Sequence, residues 1–287
     1  CVDCHGDLSL KEGRGAIKDG WIDDGIVECG NCSRMYPVLK GVGVFFRKPV
    51  AHEFLSEWER KRIAELGLSE VLEGIGEVPG GKAGDQARVA TNWEYQHNEI
   101  MRWEEAAGED QFHGKEKFWK FIPIDPAEIS GKTVSVSCVG RGKEVRHVLA
   151  ENPARVIATE IGAEVHEIPE IFRNHRDTVL VLRCDVSYSP IKPGTVDIAI
   201  CDHALQHVED HGKAFLEMVI SLKEGGAVSV CVYSHENNFL VTHIVEPMKA
   251  VLKHLPLKAV YFLAFFPTAV IYALIHGLYV PLSRLFP

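Results

Sequence analysis

Two Cys-x-x-C pairs near the start of the chain carry the most explicit chemistry in the sequence. Cys1 with Cys4, and Cys29 with Cys32, can each bend into a turn that presents two thiolates to one ion, and four thiolates complete the tetrahedron that structural Zn²⁺ prefers. The spacer between the pairs is slightly longer than usual, and redox dithiols are the alternative, although their strand-and-helix setting is missing. His5 is a further donor, but four sulfurs already close the site, so we expect a solvated loop histidine.

A glycine turn and an acidic residue form a second group, which could hold a nucleotide. Gly140 and Gly142 follow a β-branched run, and glycine there lets the N–H groups at a helix start approach a ligand closely. Glu160 ends the next run about 20 residues later, where a carboxylate can accept hydrogen bonds from both ribose hydroxyls. A hydride-transferring dehydrogenase uses the same arrangement, but no glycine follows Gly142 in the predicted helix, so its Gly-x-Gly-x-x-Gly pattern is incomplete.

The elements that must position these residues are short β-branched runs that alternate with amphipathic helical stretches. Most of the runs lack polar alternation, which indicates parallel strands covered by helices on both faces. The predicted fold class is therefore α/β, with a Rossmann-like doubly wound parallel sheet that binds ligands at the carboxyl ends of its strands. The runs are TVSVS at 133, RVIAT at 155, TVLVLRC at 178, TVDIAIC at 195 and AVSVCVY at 227.

The segment VSVSCVGRGKEV at 134–145 resembles the first motif of the class I S-adenosylmethionine-dependent methyltransferases, an acidic residue followed by three alternating glycines. Gly140 and Gly142 match the second and third glycines. Cys138 stands where the first glycine is expected, and Val136 stands where the acid is expected. The resemblance implies S-adenosyl-L-methionine as the cofactor, bound by Cys138 and the two glycines.

Two strand-end carboxylates extend this resemblance. In that family, Glu160 would bind the ribose, and Asp185, which closes the third run in VLRCD, resembles the acid that contacts the adenine amino group. Val186 would line the same pocket. For each carboxylate, the alternative is a solvated loop residue.

The stretch at 195–234 carries the strongest resemblance, to the type 11-like class I methyltransferases of small molecules. A strand with Asp197, a His-bearing loop, a helix, a Lys-x-Gly-Gly turn and another strand follow in the family's order. His207 lies on the loop that flanks the transferred methyl group in the family, so it is the candidate general base; a packing histidine is the alternative. Asp202 and His203 are near the same strand end, and Asp202 is assigned to the cofactor site.

The cysteine-bearing start also resembles a known family. ECGNCSRMYPVLKGVGVFF at 28–46 is similar to the small zinc-ribbon methyltransferase activators, in which a second cysteine pair precedes a Tyr-Pro and an apolar strand. Members of that family bind and stabilise methyltransferases of tRNA, rRNA and protein. The resemblance covers about the first 48 residues and implies a zinc-ribbon module.

The run AVYFLAFFPTAVIYALIHGLYV at 259–280 is almost uninterrupted apolar sequence, roughly the 20 residues needed to cross a bilayer. Pro267, Thr268, His276 and Gly277 are expected to break it into pieces of about ten residues, which favours buried or interfacial helices over a span. The last two strands of a class I domain are not evident. A helical insertion or lid in a truncated chain is favoured over strands around Pro267.

Composition shifts divide the chain into four segments. The predicted domains are a zinc-ribbon module at 1–48, a helical linker or cap region at 49–128, a cofactor-binding Rossmann-like domain at 129–236 and an apolar helical segment at 237–287. Because the first residue is Cys1 and not methionine, we expect a processed product or a fragment.

The bulk composition limits the function. The 287 residues are 46% hydrophobic and 25% charged, with a net charge of −9, which argues against nucleic-acid binding through a broad positive field. The cysteine pattern suits a reducing compartment, so we expect a cytoplasmic protein, membrane-associated if 259–280 contacts lipid as a peripheral segment. The oligomeric state stays open.

Three functions compete. The first is methylation of a small molecule, lipid-like or a secondary metabolite. The second is an inactive scaffold or partner protein, because the first motif is altered. The third is RNA or protein methylation guided by the ribbon. The intact carboxylates at Glu160 and Asp185 favour an active cofactor site.

Overall fold

The structure, a computed structural model, describes residues 1–14, 21–47, 54–67, 83–101, 114–234, 236, 238–252 and 254–285. Its contacts divide the chain into two compact units, Cys1–Tyr233 and Ser234–Pro287. The first unit contains a β-sheet with helices, and the described part of the second is helical.

Within the described residues, nine strands form a single sheet in the order β1-β2-β3-β4-β7-β6-β5-β8-β9. The first four strands pair antiparallel to one another, and from β4 to β9 every neighbouring pair is parallel. The strands are β1 Leu8–Arg14, β2 Asp24–Cys29, β3 Met35–Leu39, β4 Val42–Phe45, β5 Thr133–Ser137, β6 Arg155–Glu160, β7 Val179–Cys184, β8 Val196–Asp202 and β9 Leu222–Cys231.

Six α-helices belong to the described part of the first unit, and a π-helix at Gln96–Met101 continues the second of them. Ser56 caps α1 through a reciprocal capping box with Glu59. Asp210 caps α6 by accepting a hydrogen bond from the Lys213 amide at 2.9 Å. The helices are α1 Glu57–Glu65, α2 Ala83–Tyr95, α3 Lys115–Phe121, α4 Lys143–Leu149, α5 Ile168–Ile171 and α6 His211–Ser221.

The central strands bury both faces, as their continuous apolar runs predict. Alternate residues of a strand point to opposite faces, and Val156 on β6 packs in one core with α4 and α5, while its neighbour Ile157 packs in another core with α6. Helices therefore cover both sides of a parallel sheet in the order β7-β6-β5-β8-β9. This confirms the predicted doubly wound α/β fold.

The cysteine-bearing segment continues the same sheet. β4 runs parallel to β7, with Val42 opposite Val181 and Phe45 opposite Cys184. The strands of the predicted 1–48 module and those of the Rossmann-like region thus belong to one unit. The four-segment division stays a prediction, and within 49–128 the residues at 49–53, 68–82 and 102–113 lie outside the described part of the chain.

The second unit contains an apolar helix that proline does not interrupt. α8 runs through Pro267, so the predicted break into short pieces is wrong, and so is the strand alternative. Proline removes one backbone donor, but the remaining hydrogen bonds of the helix persist on either side. The helices are α7 Glu246–Leu252, α8 Leu257–Leu274 and α9 Val280–Leu285, with π-helical turns at Val241–Val245 and Ile275–Tyr279.

Measured as one continuous helix, residues Lys258–Leu282 are long and apolar enough to cross a membrane, and none of the segment is buried. Large apolar side chains such as Phe262, Phe265 and Tyr272 are more than half exposed.

Candidate functional site

The structure brings the four predicted zinc ligands together. The sulfurs of Cys1, Cys4, Cys29 and Cys32 all lie within 4.8 Å of one another, and those of Cys4 and Cys29 are 3.4 Å apart. His5 is not part of this group. Four converging sulfurs fit the donor set of a structural zinc site.

Two matching turns shape this cluster. The amide of His5 donates to the Cys1 carbonyl and that of Ser33 donates to the Cys29 carbonyl, both at 2.9 Å. His5 and Ser33 each adopt a positive φ, 54° and 55°. Hydrogen bonds from the backbone amides of Cys32 and Asn31 lower the pKa of the Cys29 thiol to about 7, which favours the thiolate that a metal binds.

The glycine turn after β5 contains three residues with a left-handed backbone conformation. Gly140 and Gly142 have φ values of 50° and 86°, and Cys138, where the family places its first glycine, also has a positive φ of 60°. A side chain in this region costs roughly 1–2 kcal/mol. Cys138 therefore adopts a left-handed conformation that glycine would take without this cost. Val136 is fully buried in the core.

Glu160 ends β6 beneath this turn. Its Oε2 accepts a hydrogen bond from the Gly140 amide at 2.7 Å, and its Oε1 accepts from the amides of Ile161 and Gly162 at 2.7 and 2.9 Å. A carboxylate offers about four lone-pair sites, so about one remains for a ribose hydroxyl. Burial, with the charge of Glu164 adding, raises the pKa of Glu160.

The carboxyl ends of β5, β6 and β7 meet at one small pocket that is partly open to solvent. Four of the predicted cofactor residues, Cys138, Glu160, Asp185 and Val186, line it. Asp185 caps the following turn by accepting from the Ser187 amide at 2.8 Å, and burial raises the pKa of its carboxyl. The other residues that line the pocket are Thr159, Ile161, Cys184 and Val208.

Asp202 and His207 lie elsewhere along this edge. Asp202 ends β8, bonds the His203 ring at 2.7 Å and is not among the residues that line the pocket. The His207 ring packs at 4.9 Å from the Trp93 ring and 6.2 Å from the Tyr233 ring, measured between centroids. His207, the base predicted from the sequence, therefore packs between two aromatic rings and directly precedes Val208, which lines the pocket.

A histidine that the sequence did not single out covers the glycine turn. A Cβ atom added to Gly140 would lie 2.6 Å from Cε1 of His97, whose Nδ1 is 2.6 Å from Oε1 of Glu164. Burial alone would lower the pKa of His97, but the Glu164 carboxylate raises it. The only sequence signal was a Trp- and Glu-rich helical piece after Thr91, which does not indicate where the helix docks.

Residues 135–230 match the family model described as a methyltransferase domain. The matched segment is about a third of the chain. The match spans β5 to β9, so it includes the glycine turn, both pocket carboxylates and the loop with His207. No curated protein matches the chain.

Three solved structures resemble the chain over part of its length. One is a complex between the Haloferax volcanii Trm112 methyltransferase activator and a protein described as a methyltransferase (18% identity, 55% of this chain and 64% of that chain, TM-score 0.43). Another is described as an S-adenosyl-L-methionine-dependent methyltransferase from Methanococcus maripaludis (15%, 68% and 88%, 0.38). The third is Haemonchus contortus phosphoethanolamine N-methyltransferase 1 with phosphoethanolamine and S-adenosylhomocysteine (15%, 54% and 34%, 0.45).

The chain spans less than two thirds of the first three solved chains that it matches, 64%, 42% and 58% of their lengths. Methyl transfer, the reaction that the matched family model names, needs the acceptor atom aligned with the sulfonium methyl group.

Proposed function

We propose that the chain is an S-adenosylmethionine-dependent methyltransferase that acts on a small, lipid-like acceptor. The observation that carries the proposal is the pocket in which the ends of three adjacent strands bring Cys138, Glu160 and Asp185 together beside a glycine turn. A methyltransferase domain implies S-adenosyl-L-methionine as the methyl donor, and these residues fit its nucleoside half. The backbone at Cys138 argues for an active site over a disabled scaffold.

The two pocket carboxylates would divide the nucleoside between them. Asp185 would accept from the adenine amino group, and the remaining lone-pair site of Glu160 would accept from a ribose hydroxyl. Gly140 and Gly142 would let the backbone approach the methionine part without a side chain in the way. Bound S-adenosyl-L-methionine supplies an electrophilic methyl group; the chain contributes binding and orientation.

His207 is the proposed general base. Trp93 and Tyr233 contact its ring and would hold the imidazole in a fixed orientation next to the pocket edge. An acceptor hydroxyl or amine would lose its proton to this ring as the methyl group arrives. A His207→Ala variant should then lose turnover with little change in cofactor affinity.

The ribbon would hold one structural Zn²⁺ through its four cysteines. Because β4 pairs with β7, whose end carries Asp185, zinc in the ribbon would stabilise the sheet edge next to the adenine pocket. The ribbon would thus act within the chain as a stabilising element of the methyltransferase domain.

The exposed apolar helix supports a lipid surface as the site of action. A cytoplasmic protein with such a segment would attach to the membrane through 259–280, where lipid-like acceptors are found. The net charge of −9 gives no support to an RNA acceptor.

Calorimetric titration of the purified chain with S-adenosylmethionine and S-adenosylhomocysteine, with NAD as the control ligand, tests the proposal. We expect both sulfur nucleosides to bind and NAD to fail. Binding by NAD alone, or by none of the three, would overturn the assignment and leave the scaffold function in its place.

A further inference from the structure

A second cluster of side chains that could bind a metal lies at the carboxyl ends of β8 and β9. It is separate from the four ribbon cysteines and from the pocket at the ends of β5, β6 and β7. It consists of Asp202, His203 and Cys231, whose ligand atoms all lie within 4.8 Å of one another. Asp202 and Cys231 are directly opposite in the parallel pairing of these strands. The cluster is therefore built on adjacent strand ends, which hold side chains more firmly than a loop does.

The hydrogen bonds within the cluster orient the imidazole. Nδ1 of His203 is 2.7 Å from Oδ1 of Asp202, and Nε2 is 3.2 Å from Sγ of Cys231. Since an ionised carboxylate only accepts, the hydrogen-bond pattern assigns the ring proton to Nδ1. The lone pair of Nε2 then points towards the sulfur. The neutral ring then offers the Nε2 lone pair to a metal ion.

The backbone keeps this arrangement at an energetic cost. His203 adopts a positive φ of 50°, a conformation that L-residues with a side chain rarely take. Its amide donates to the Cys231 carbonyl at 2.9 Å, which ties the residue after β8 to the end of β9. Strained residues of this kind concentrate at functional sites.

We propose that Asp202, His203 and Cys231 form a second metal site that binds a divalent transition ion of the zinc class. Bond lengths of about 2.3 Å to sulfur and about 2.0 Å to nitrogen allow one ion to contact both atoms, because their sum exceeds the 3.2 Å between Sγ and Nε2. A carboxylate oxygen of Asp202 lies within 4.8 Å of the other two ligand atoms and would turn away from the imidazole to become the third ligand.

This site differs in type from the ribbon. Four thiolates close a structural zinc site, whereas three mixed ligands leave a fourth position for water or another oxygen or nitrogen ligand. The centroids of the Phe121 and Tyr233 rings lie 5.2 and 5.5 Å from that of the His203 ring, so two aromatic rings flank the imidazole. The proposal concerns metal binding alone and does not depend on the methyltransferase activity.

The number of metal ions bound per chain tests the proposed second site. The full chain is stripped with a chelator, reloaded with Zn²⁺, desalted and analysed by mass spectrometry. We expect about two zinc ions for the unaltered chain and about one for His203→Ala and for Cys231→Ala. His211→Ala, an exposed histidine on α6, is the matched control and should keep about two.

A ribbon variant makes the result independent of how well the site variants fold. Cys4→Ser with Cys32→Ser alters the two exposed ribbon cysteines and should leave about one ion, held at the second site. Loading this variant with Co²⁺ should give charge-transfer absorption from a single thiolate, which the further change Cys231→Ala abolishes. One ion in the unaltered chain and none in the ribbon variant would overturn the proposal and leave a hydrogen-bonded cluster without metal.

Discussion

Glu59 on α1 and Arg183 on β7 form an ion pair in the interior of the first unit, where their exposed fractions are 0% and 2%. Glu59 also bonds Nε2 of His166 at 2.8 Å, and its Oε2 accepts from the Ser56 amide at 2.8 Å. The Arg183 guanidinium donates to the Phe54 carbonyl at 2.6 Å. The Glu59 carboxylate therefore connects α1 to β7, the strand that Asp185 directly follows.

Replacing one partner of this pair should destabilise the fold. In Glu59→Gln the Arg183 charge stays buried without its counter-ion, and loss of one partner of a buried pair costs about 3–5 kcal/mol. Urea denaturation followed by circular dichroism measures the loss. The exposed Glu57→Gln on the same helix is the control and should change the unfolding free energy by less than about 0.5 kcal/mol. Equal effects of the two would contradict a special role for the pair.

The same carboxylate predicts a pH dependence. Burial alone would raise the pKa of Glu59, but the His166 hydrogen bond and the Arg183 charge lower it from 4.5 to about 2. A lowered folded-state pKa contributes stability that is complete above the unfolded value and is lost as pH falls through the folded value. The stability advantage of the unaltered chain over Glu59→Gln should therefore shrink between about pH 4.5 and about pH 2. An advantage that stays constant across this window would contradict the assignment.

Variants at Gly140 and Gly194 can separate the cost of backbone strain from the cost of a steric contact with the His97 ring. Both have a positive φ, 50° and 68°, but an added Cβ meets the His97 ring only at Gly140 and open space at Gly194. Gly194→Ala should cost about 1–2 kcal/mol of stability. Gly140→Ala should cost more and should weaken S-adenosylmethionine binding in calorimetry, since either the turn or the ring must move.

The double variant Gly140→Ala with His97→Ala removes the contact but not the strain. Because His97→Ala also leaves the buried Glu164 carboxylate without its partner, it is measured alone as well. Gly140→Ala should cost less stability in the His97→Ala background than in the unaltered chain, and an equal cost would show that the His97 ring does not restrict this turn.

Zinc in the ribbon should depend on Cys4 and not on its neighbour His5. Cys4→Ser removes one of four ligands from an exposed position, so the chain should lose the ribbon zinc under chelator competition and unfold at lower urea concentration. His5→Gly keeps the positive φ available and should retain the metal. Zinc loss in His5→Gly, with retention in Cys4→Ser, would reverse the ligand assignment.

Lipid contact by the apolar helix can be tested with sedimentation of phosphatidylcholine vesicles. The full chain should sediment with the vesicles, and Leu263→Lys with Ile271→Lys should abolish this, because each buried charge costs about 2.5–3.5 kcal/mol at the centre of a bilayer. Ile171→Lys on α5 is the control at an exposed apolar position of the first unit. A chain that stays monodisperse without detergent and ignores vesicles would remove the membrane from the proposal.

Local patterns in the sequence determined much of this protein. The β-branched runs predicted β5 to β9 because buried parallel strands need apolar residues on both faces. The two Cys-x-x-C turns and the glycine turn were predictable because each depends on a few neighbouring residues. The carboxylates at the ends of β6 and β7 were predictable to share a pocket because parallel strands end at the same edge.

Contacts between distant segments were decided only by the tertiary structure. The pairing of β4 with β7, the position of His97 over Gly140 and the pair Glu59–Arg183 join residues that are between 43 and 139 positions apart, and no periodicity in the sequence indicates such partners. At Pro267 the local pattern was misleading, because it predicted a break in the apolar run. The helix α8 continues through this proline, since the other hydrogen bonds of the helix outweigh the single missing donor. Sequence patterns report local energetics, and the site at the ends of β8 and β9 exists only because pairing sets Asp202 opposite Cys231.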